Sequence, residues 1–176
     1  MKFLKKLVNT LTPDSSEKAT NLNNLAYQYL MQGEYSKAEP IFLESLCMTV
    51  NAHGSDHQNV ATILNNLGLL YKKQERYDMA DGVYQRSLTI REKALGSEHP
   101  DVAMSLNNIA LMCMAQGQYA RAEPLLHRAL TINEKNPDTD DSDVAWTFQN
   151  YADLLRMLDR PIEADMMAYR AILKAV

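Results

Sequence analysis

Three observations predict an all-α fold, a right-handed solenoid of four helix hairpins behind a short amphipathic helix. The first is a fixed period. Asparagine pairs begin at Asn23, Asn65 and Asn107, two steps of 42 residues, and one further step reaches Gln149-Asn150. The second is a set of positions that keep this register. Ala26, Gly68, Ala110 and Ala152 align as small residues, and Ala38, Ala80, Ala122 and Ala164 align as a second small set. The third is helical spacing of apolar residues in two stripes per copy, separated by a turn. So many coincident positions mark a tandem array, in which each unit buries its apolar face only against a neighbour.

The elements follow in order. Residues 1–18 place Phe3, Leu4, Leu7, Val8 and Leu11 on one helical face, with Lys2, Lys5 and Lys6 elsewhere. These lysines interrupt any apolar core of signal-peptide length. The expected element is a short helix packed on the domain or on a partner, with a peripheral membrane anchor as the weaker alternative. The repeats then occupy 19–60, 61–102, 103–144 and 145–176. In the first copy Leu22, Leu25, Ala26 and Tyr29 form the first stripe; Ala38, Ile41, Phe42, Ser45 and Leu46 form the second. Gly33 and Gly117 suit the turn between them, where Glu75 and Asp159 stand in the other copies. Gly54 and Gly96 read as helix C-caps, and Pro100 suits a first helical turn. His57 and His99, one period apart, read as capping or linker residues, because no further metal ligand accompanies them. Residues 79–95 read as one uninterrupted helix.

These residues resemble a known family. The small-residue and tyrosine spacing on a helix hairpin is similar to the tetratricopeptide pattern. The 42-residue period, the "LNNLA" and "LNNIA" cores and the "REKALGSEHPDVA" linker resemble the kinesin-light-chain subtype, over roughly residues 19–176. The resemblance implies a non-catalytic module that binds an extended, acidic peptide with an apolar or aromatic anchor. It does not extend to the clamp that reads a C-terminal carboxylate. Of the matching places, held here by Asn23, Tyr27, Asn66, Met104 and Asn108, only Asn66 agrees with that clamp.

A helical wheel assigns the asparagines. Asn23, Asn65 and Asn107 fall on the shoulder of the packed side, where they tie repeats together or bond to a loop. Asn24, Asn66, Asn108 and Asn150 fall on the opposite side, as a row on the concave surface that first helices line in such arrays. Primary amides carry donors and an acceptor, so such a row can pair with a peptide backbone of any sequence. Tyr27, Leu69, Leu111, Met104 and Met114 are expected half-exposed beside it, with Lys72, Lys73 and Arg156 adding positive charge. Trp146, the only tryptophan, is either a groove contact or a plug for the end of the array. In the last helix Ile162, Met166, Met167, Ala171, Ile172 and Val176 have no later helix to cover them, which makes a homodimer or assembly scaffold the alternative function.

Other chemistries find no support. The formal net charge of −4 gives no general attraction to nucleic acid or an anionic membrane. Cys47 and Cys113 are expected as reduced core or near-core thiols, in keeping with a cytoplasmic protein. Asp138, Asp140, Asp141 and Asp143 fail the calcium-loop pattern at its sixth and twelfth positions. They read as a linker with an N-cap at Asp141 or Ser142. No phosphate loop, nucleophile motif or metal motif is present, so no catalytic residue, metal or cofactor is expected.

Overall fold

A computed structural model describes residues 15–136 and 141–174. The expected amphipathic helix lies almost wholly outside these residues, as do Asp138, Asp140 and Val176. Among the described residues the chain is all helix. The helices are α1 (Ser15–Met31), α2 (Tyr35–His53), α3 (Gln58–Lys73), α4 (Tyr77–Leu95), α5 (Pro100–Ala115), α6 (Tyr119–Lys135), α7 (Asp141–Met157) and α8 (Pro161–Lys174). Helix α1 begins four residues before the expected repeat boundary. The described residues fall into two compact units, one within 1–83 and the other within 84–176.

The hairpin turn rests on one backbone position. Gly33 and Gly117 have φ of 78° and 70°, and Glu75 and Asp159 hold 59° and 57° at the equivalent places. The left-handed conformation costs an L-residue roughly 1–2 kcal/mol, which Gly117 avoids and Glu75 bears. The linkers also behave as their residues suggest. His57 and His99 are N-caps whose Nδ1 atoms accept from the N–H groups of Asn59 and Asp101, at 3.2 and 3.1 Å. Each bond satisfies one of the donors left open at a helix start. Pro100 follows at the first helical position, and the N–H of Gly54 closes α2 on Val50 O. Asp141 and Ser142 stand inside the first turn of α7 instead of before it.

In the first unit α1 and α2 form a hairpin, and α3 packs on α2 and touches α1. Ala26 and Ala38 are fully buried where the hairpin closes, because methyl-sized side chains let helix axes approach. Ser45 Oγ donates to Ala19 O at 2.7 Å across the same hairpin. Phe42, Leu64, Leu67 and Leu70 fill the remaining core. In the second unit the hairpins α5–α6 and α7–α8 are joined by α6 against α7 and α5 against α7. Their core includes Ile109, Met112, Leu126, Phe148 and Leu155, with Ala110, Ala122, Ala152 and Ala164 at the hairpin crossings.

Several expected core residues lie elsewhere. Leu25 is 40% exposed and Leu22 only half-buried. Leu67, one period after Leu25, is buried because α1 and α2 stand before it; no described hairpin stands before Leu25. Cys47 is exposed while Cys113 is buried. In α8 Ala171 is buried and Met167 half-buried, so the open apolar face comprises Ile162, Met166, Tyr169, Ile172 and Leu173.

Tyr84 is fully buried and its hydroxyl meets no partner among the described residues. Burial raises its pKa above the ordinary tyrosine range. The folded state therefore holds this proton when the unfolded chain has lost it, and stability falls as pH rises above about 10. Tyr84→Phe is expected to stabilise the fold by about 1 kcal/mol at neutral pH and to flatten that alkaline loss. Urea unfolding at neutral and alkaline pH checks both.

Candidate functional site

The asparagine pairs are joined across repeats. Asn66 Nδ2 donates to Asn23 Oδ1 at 3.0 Å in the first unit, and Asn150 Nδ2 donates to Asn107 Oδ1 at 3.0 Å in the second. The second asparagine of one repeat thus bonds to the first asparagine of the repeat before it. In the second unit the ladder continues inward. Asn107 Nδ2 and Asn133 Nδ2 both donate to Thr147 Oγ1, at 2.6 and 3.1 Å, and Thr147 Oγ1 donates to Asp143 O. Asn107, Asn133 and Thr147 are all buried.

This geometry revises the expected row of outward amides. Asn150 is buried, because α5 stands close enough to take its amide. Asn66 is half-buried; its Nδ2 is engaged, but its Oδ1 meets no donor among the described residues. Asn24 is exposed and has no bonded side-chain partner among them, as expected where no described repeat precedes it. Asn108 is half-buried.

The apolar candidates divide in the same way. Tyr27, Met104 and Trp146 are each about two-fifths exposed, and Leu69 and Leu111 are half-buried. Met114, expected to be partly exposed, is buried within the second unit. It sits in the last turn of α5, where the chain folds back into α6. Among the cations, Lys73 is exposed and Lys72 half-buried. Burial first, and the like charge of Lys73 second, hold the Lys72 ammonium below its usual pKa. Arg156 is less available. It pairs with Asp153 at 2.9 Å and lies 3.8 Å from Asp165.

The sequence reading missed a set of arginine braces. Arg76, in the turn before α4, reaches back to Glu39 on α2 at 2.7 Å, and Arg160 repeats the contact with Glu123 84 residues later. Arg128 meets Glu92, and Arg170 meets Glu134 while stacking 4.4 Å over the Phe148 ring. The signal was present as charges at a fixed period. Among the described residues no cluster of three or more His, Cys, Asp or Glu side chains could hold a metal, and no helix is long and apolar enough to cross a membrane.

The sequence pattern of the tetratricopeptide repeat matches residues 17–93 and 101–172. The chain belongs to the tetratricopeptide repeat family. The fold has close counterparts. BtubC (BKLC) from P. vanneervenii superposes with a TM-score of 0.83 at 23% identity, over 93% of this chain and 65% of that one. A Podosopora anserina protein of nearly identical tetratricopeptide-like repeats, assigned as a kinesin light chain, gives 0.71 at 19% identity over 96% and 81%. A point variant of that protein gives 0.73 at 19% identity, over 96% and 80%. This chain therefore spans about two-thirds of the length of BtubC. Among curated proteins none matches by sequence. Identities this low establish the fold. Family membership carries the coarse function, a non-catalytic scaffold for protein or peptide binding.

The ladder makes a contrast testable. Asn107→Ala strips a buried acceptor from Asn150 and a donor from Thr147, so it should cost about 2–3 kcal/mol. Asn24→Ala, at an exposed position, should stay within about 0.5 kcal/mol. Urea titrations of the two variants measure the difference.

Proposed function

We propose that the first-helix face binds an extended peptide segment of a partner protein. The observation that carries this reading is the exposure of large apolar side chains beside amide groups that keep an open hydrogen-bonding atom. In the first unit these are Tyr27 with Asn24 and the Oδ1 of Asn66, flanked by Leu69, Lys72 and Lys73. The second unit contributes exposed Met104 and Trp146 beside the half-buried Leu111. Exposed aromatic and methionine side chains are common anchors of adaptable interfaces. Lys72 and Lys73 favour an acidic segment at the first unit. Membership of the tetratricopeptide repeat family agrees with a peptide-binding role. The free thiols of Cys47 and Cys113 suit a reducing compartment such as the cytoplasm.

The depressed pKa of Lys72 gives this reading a proton signature. A carboxylate placed beside Lys72 raises that pKa again, so binding takes up protons in the alkaline range. Affinity for an acidic peptide with an aromatic anchor is expected to fall as pH rises toward the ordinary lysine range. Calorimetry in two buffers of different ionisation enthalpy reads the uptake. Lys73→Glu with Tyr27→Ala should weaken binding at least about tenfold. Unchanged affinity in that variant removes the first-unit groove from the site.

A second reading has its own observation. Ile162 is 78% exposed, and Met166, Tyr169, Ile172 and Leu173 share the open face of α8 with it. Two copies burying this face against each other would form a homodimer. Light scattering should then show a concentration-dependent dimer that Ile172→Asp weakens, and a strict monomer excludes it.

A further inference from the structure

A buried guanidinium near the end of α4 is the starting observation. Arg91 is 4% exposed. Its Nη1 donates to Asp101 O and to Ser105 Oγ, both at 2.9 Å, and passes 3.9 Å from Met104 Sδ. The Asp101 carboxylate also acts on it, opposing the effect of burial on its pKa. A guanidinium thus fills the space beside the N-terminal half of α5, bonded to a main-chain carbonyl and a hydroxyl, with the charge of the Asp101 carboxylate acting on it.

One period later every partner recurs except the guanidinium. Asp143 stands for Asp101, Trp146 for Met104 and Thr147 for Ser105, but Asn133 stands for Arg91. Asn133 reproduces only the bond to the hydroxyl, donating to Thr147 Oγ1. Its shorter side chain leaves a cavity of about 40 Å³, lined by Asp143, Trp146, Thr147, Asn133, Met104 and Asn107 among others. At roughly 10–15 Å³ for each enclosed water, that is room for about three waters, close to the heavy-atom count of a guanidinium. The cavity also has unfilled chemistry. Asn133 is 5% exposed, yet its Oδ1 meets no donor among the described residues. The Asp143 carboxylate has no ion pair or hydrogen bond among them either.

A first-turn acid stabilises a helix N-terminus by itself, which accounts for Asp143. It does not account for the cavity or for the unpaired Asn133 Oδ1. The first unit supplies an internal comparison. Thr20, Asn23, Thr49, Asn59, Thr62 and Ile63 line the equivalent cavity, of about 100 Å³, with no charged group.

We propose that the cavity beside Trp146 receives an arginine side chain of a bound partner peptide. This rests on the peptide-binding reading and gives it a residue preference in the second unit. The guanidinium enters where Arg91 lies one repeat earlier. It donates to the Asp143 carboxylate and to Asn133 Oδ1, and the Trp146 face covers it as a cation–π partner. Asp101 adds to the negative field but already faces Arg91, so Asp143 supplies the uncompensated charge. Lysine satisfies this socket less well, because a point ammonium cannot form the flat paired contacts.

Trp146 is the only tryptophan in the chain, so its indole fluorescence and indole N–H resonance report on this cavity alone. The probe is the capped tripeptide acetyl-Gly-Arg-Gly-amide, titrated against the intact protein beside its lysine and citrulline counterparts. Citrulline keeps the shape and removes the charge. The arginine peptide should shift the Trp146 signals saturably, with citrulline and the Asp143→Asn variant each weaker by about tenfold or more. Asp143 is exposed, and circular dichroism confirms that the variant folds. Asn59→Asp with Thr62→Trp in a Trp146→Phe background should build a responding socket in the first unit. No saturable shift, equal response to citrulline, or indifference to Asp143→Asn overturns the proposal. These outcomes leave the groove reading standing, since that is tested separately by an acidic peptide at Lys73 and Tyr27.

Discussion

A hydrogen bond between the side-chain amides of two first helices sets the terms for the rest of the structure. A single hairpin of this chain cannot cover its own apolar stripe, so repeats must stack, and stacked helices can slide. The pairs Asn66–Asn23 and Asn150–Asn107 fix the register. A hydrogen bond tolerates little error in distance or angle, and a slip of one residue would leave the buried amides of Asn107 and Asn150 unpaired. The alanines at the hairpin crossings and the left-handed turn then bring each second helix to the same place relative to its first. Asparagine's poor helix propensity is the cost of this arrangement, a few tenths of a kcal/mol per residue, which an inter-repeat bond of about 1 kcal/mol offsets.

Periodicity made much of the fold legible in the sequence. A fixed step of 42 residues identifies which residues occupy equivalent environments, so the turn at Gly33, Glu75, Gly117 and Asp159 and the caps at His57 and His99 could be read directly. What periodicity does not encode is what lies against each copy. Leu25 and Leu67 are the same residue in the same phase, yet only Leu67 is buried. The helical wheel gives Asn150 an outward direction, but the neighbouring helix is near enough to enclose it. The same reasoning applies to Met114 and Cys47, whose exposure is decided by the turn of chain beside them and not by their phase.

Charge in this protein works mainly between repeats. The pairs Arg76–Glu39 and Arg160–Glu123 recur at twice the period, and Arg128–Glu92 and Arg170–Glu134 at the single period. Each is half-exposed and contributes on the order of 0–1 kcal/mol. Their value lies in orientation, because they hold second helices and turns in place while the first helices keep open amides and apolar side chains. Among the described residues Lys73 and Asp143 have no such ion-pair partners, which separates the charges available to a ligand from those engaged in the scaffold.

The equivalent sequence positions Thr49, Arg91 and Asn133 have a wider consequence. A solenoid usually gains binding surface by adding repeats, so affinity and length change together. Here one side chain per repeat decides whether the space beside the next helix is stoppered or vacant, while the backbone stays the same. Substitution at that single codon opens or closes a recognition element, although at Asn133 it also removes one of the two amides that Thr147 Oγ1 accepts from. Selectivity can therefore change at one position per repeat without a change in the number of repeats.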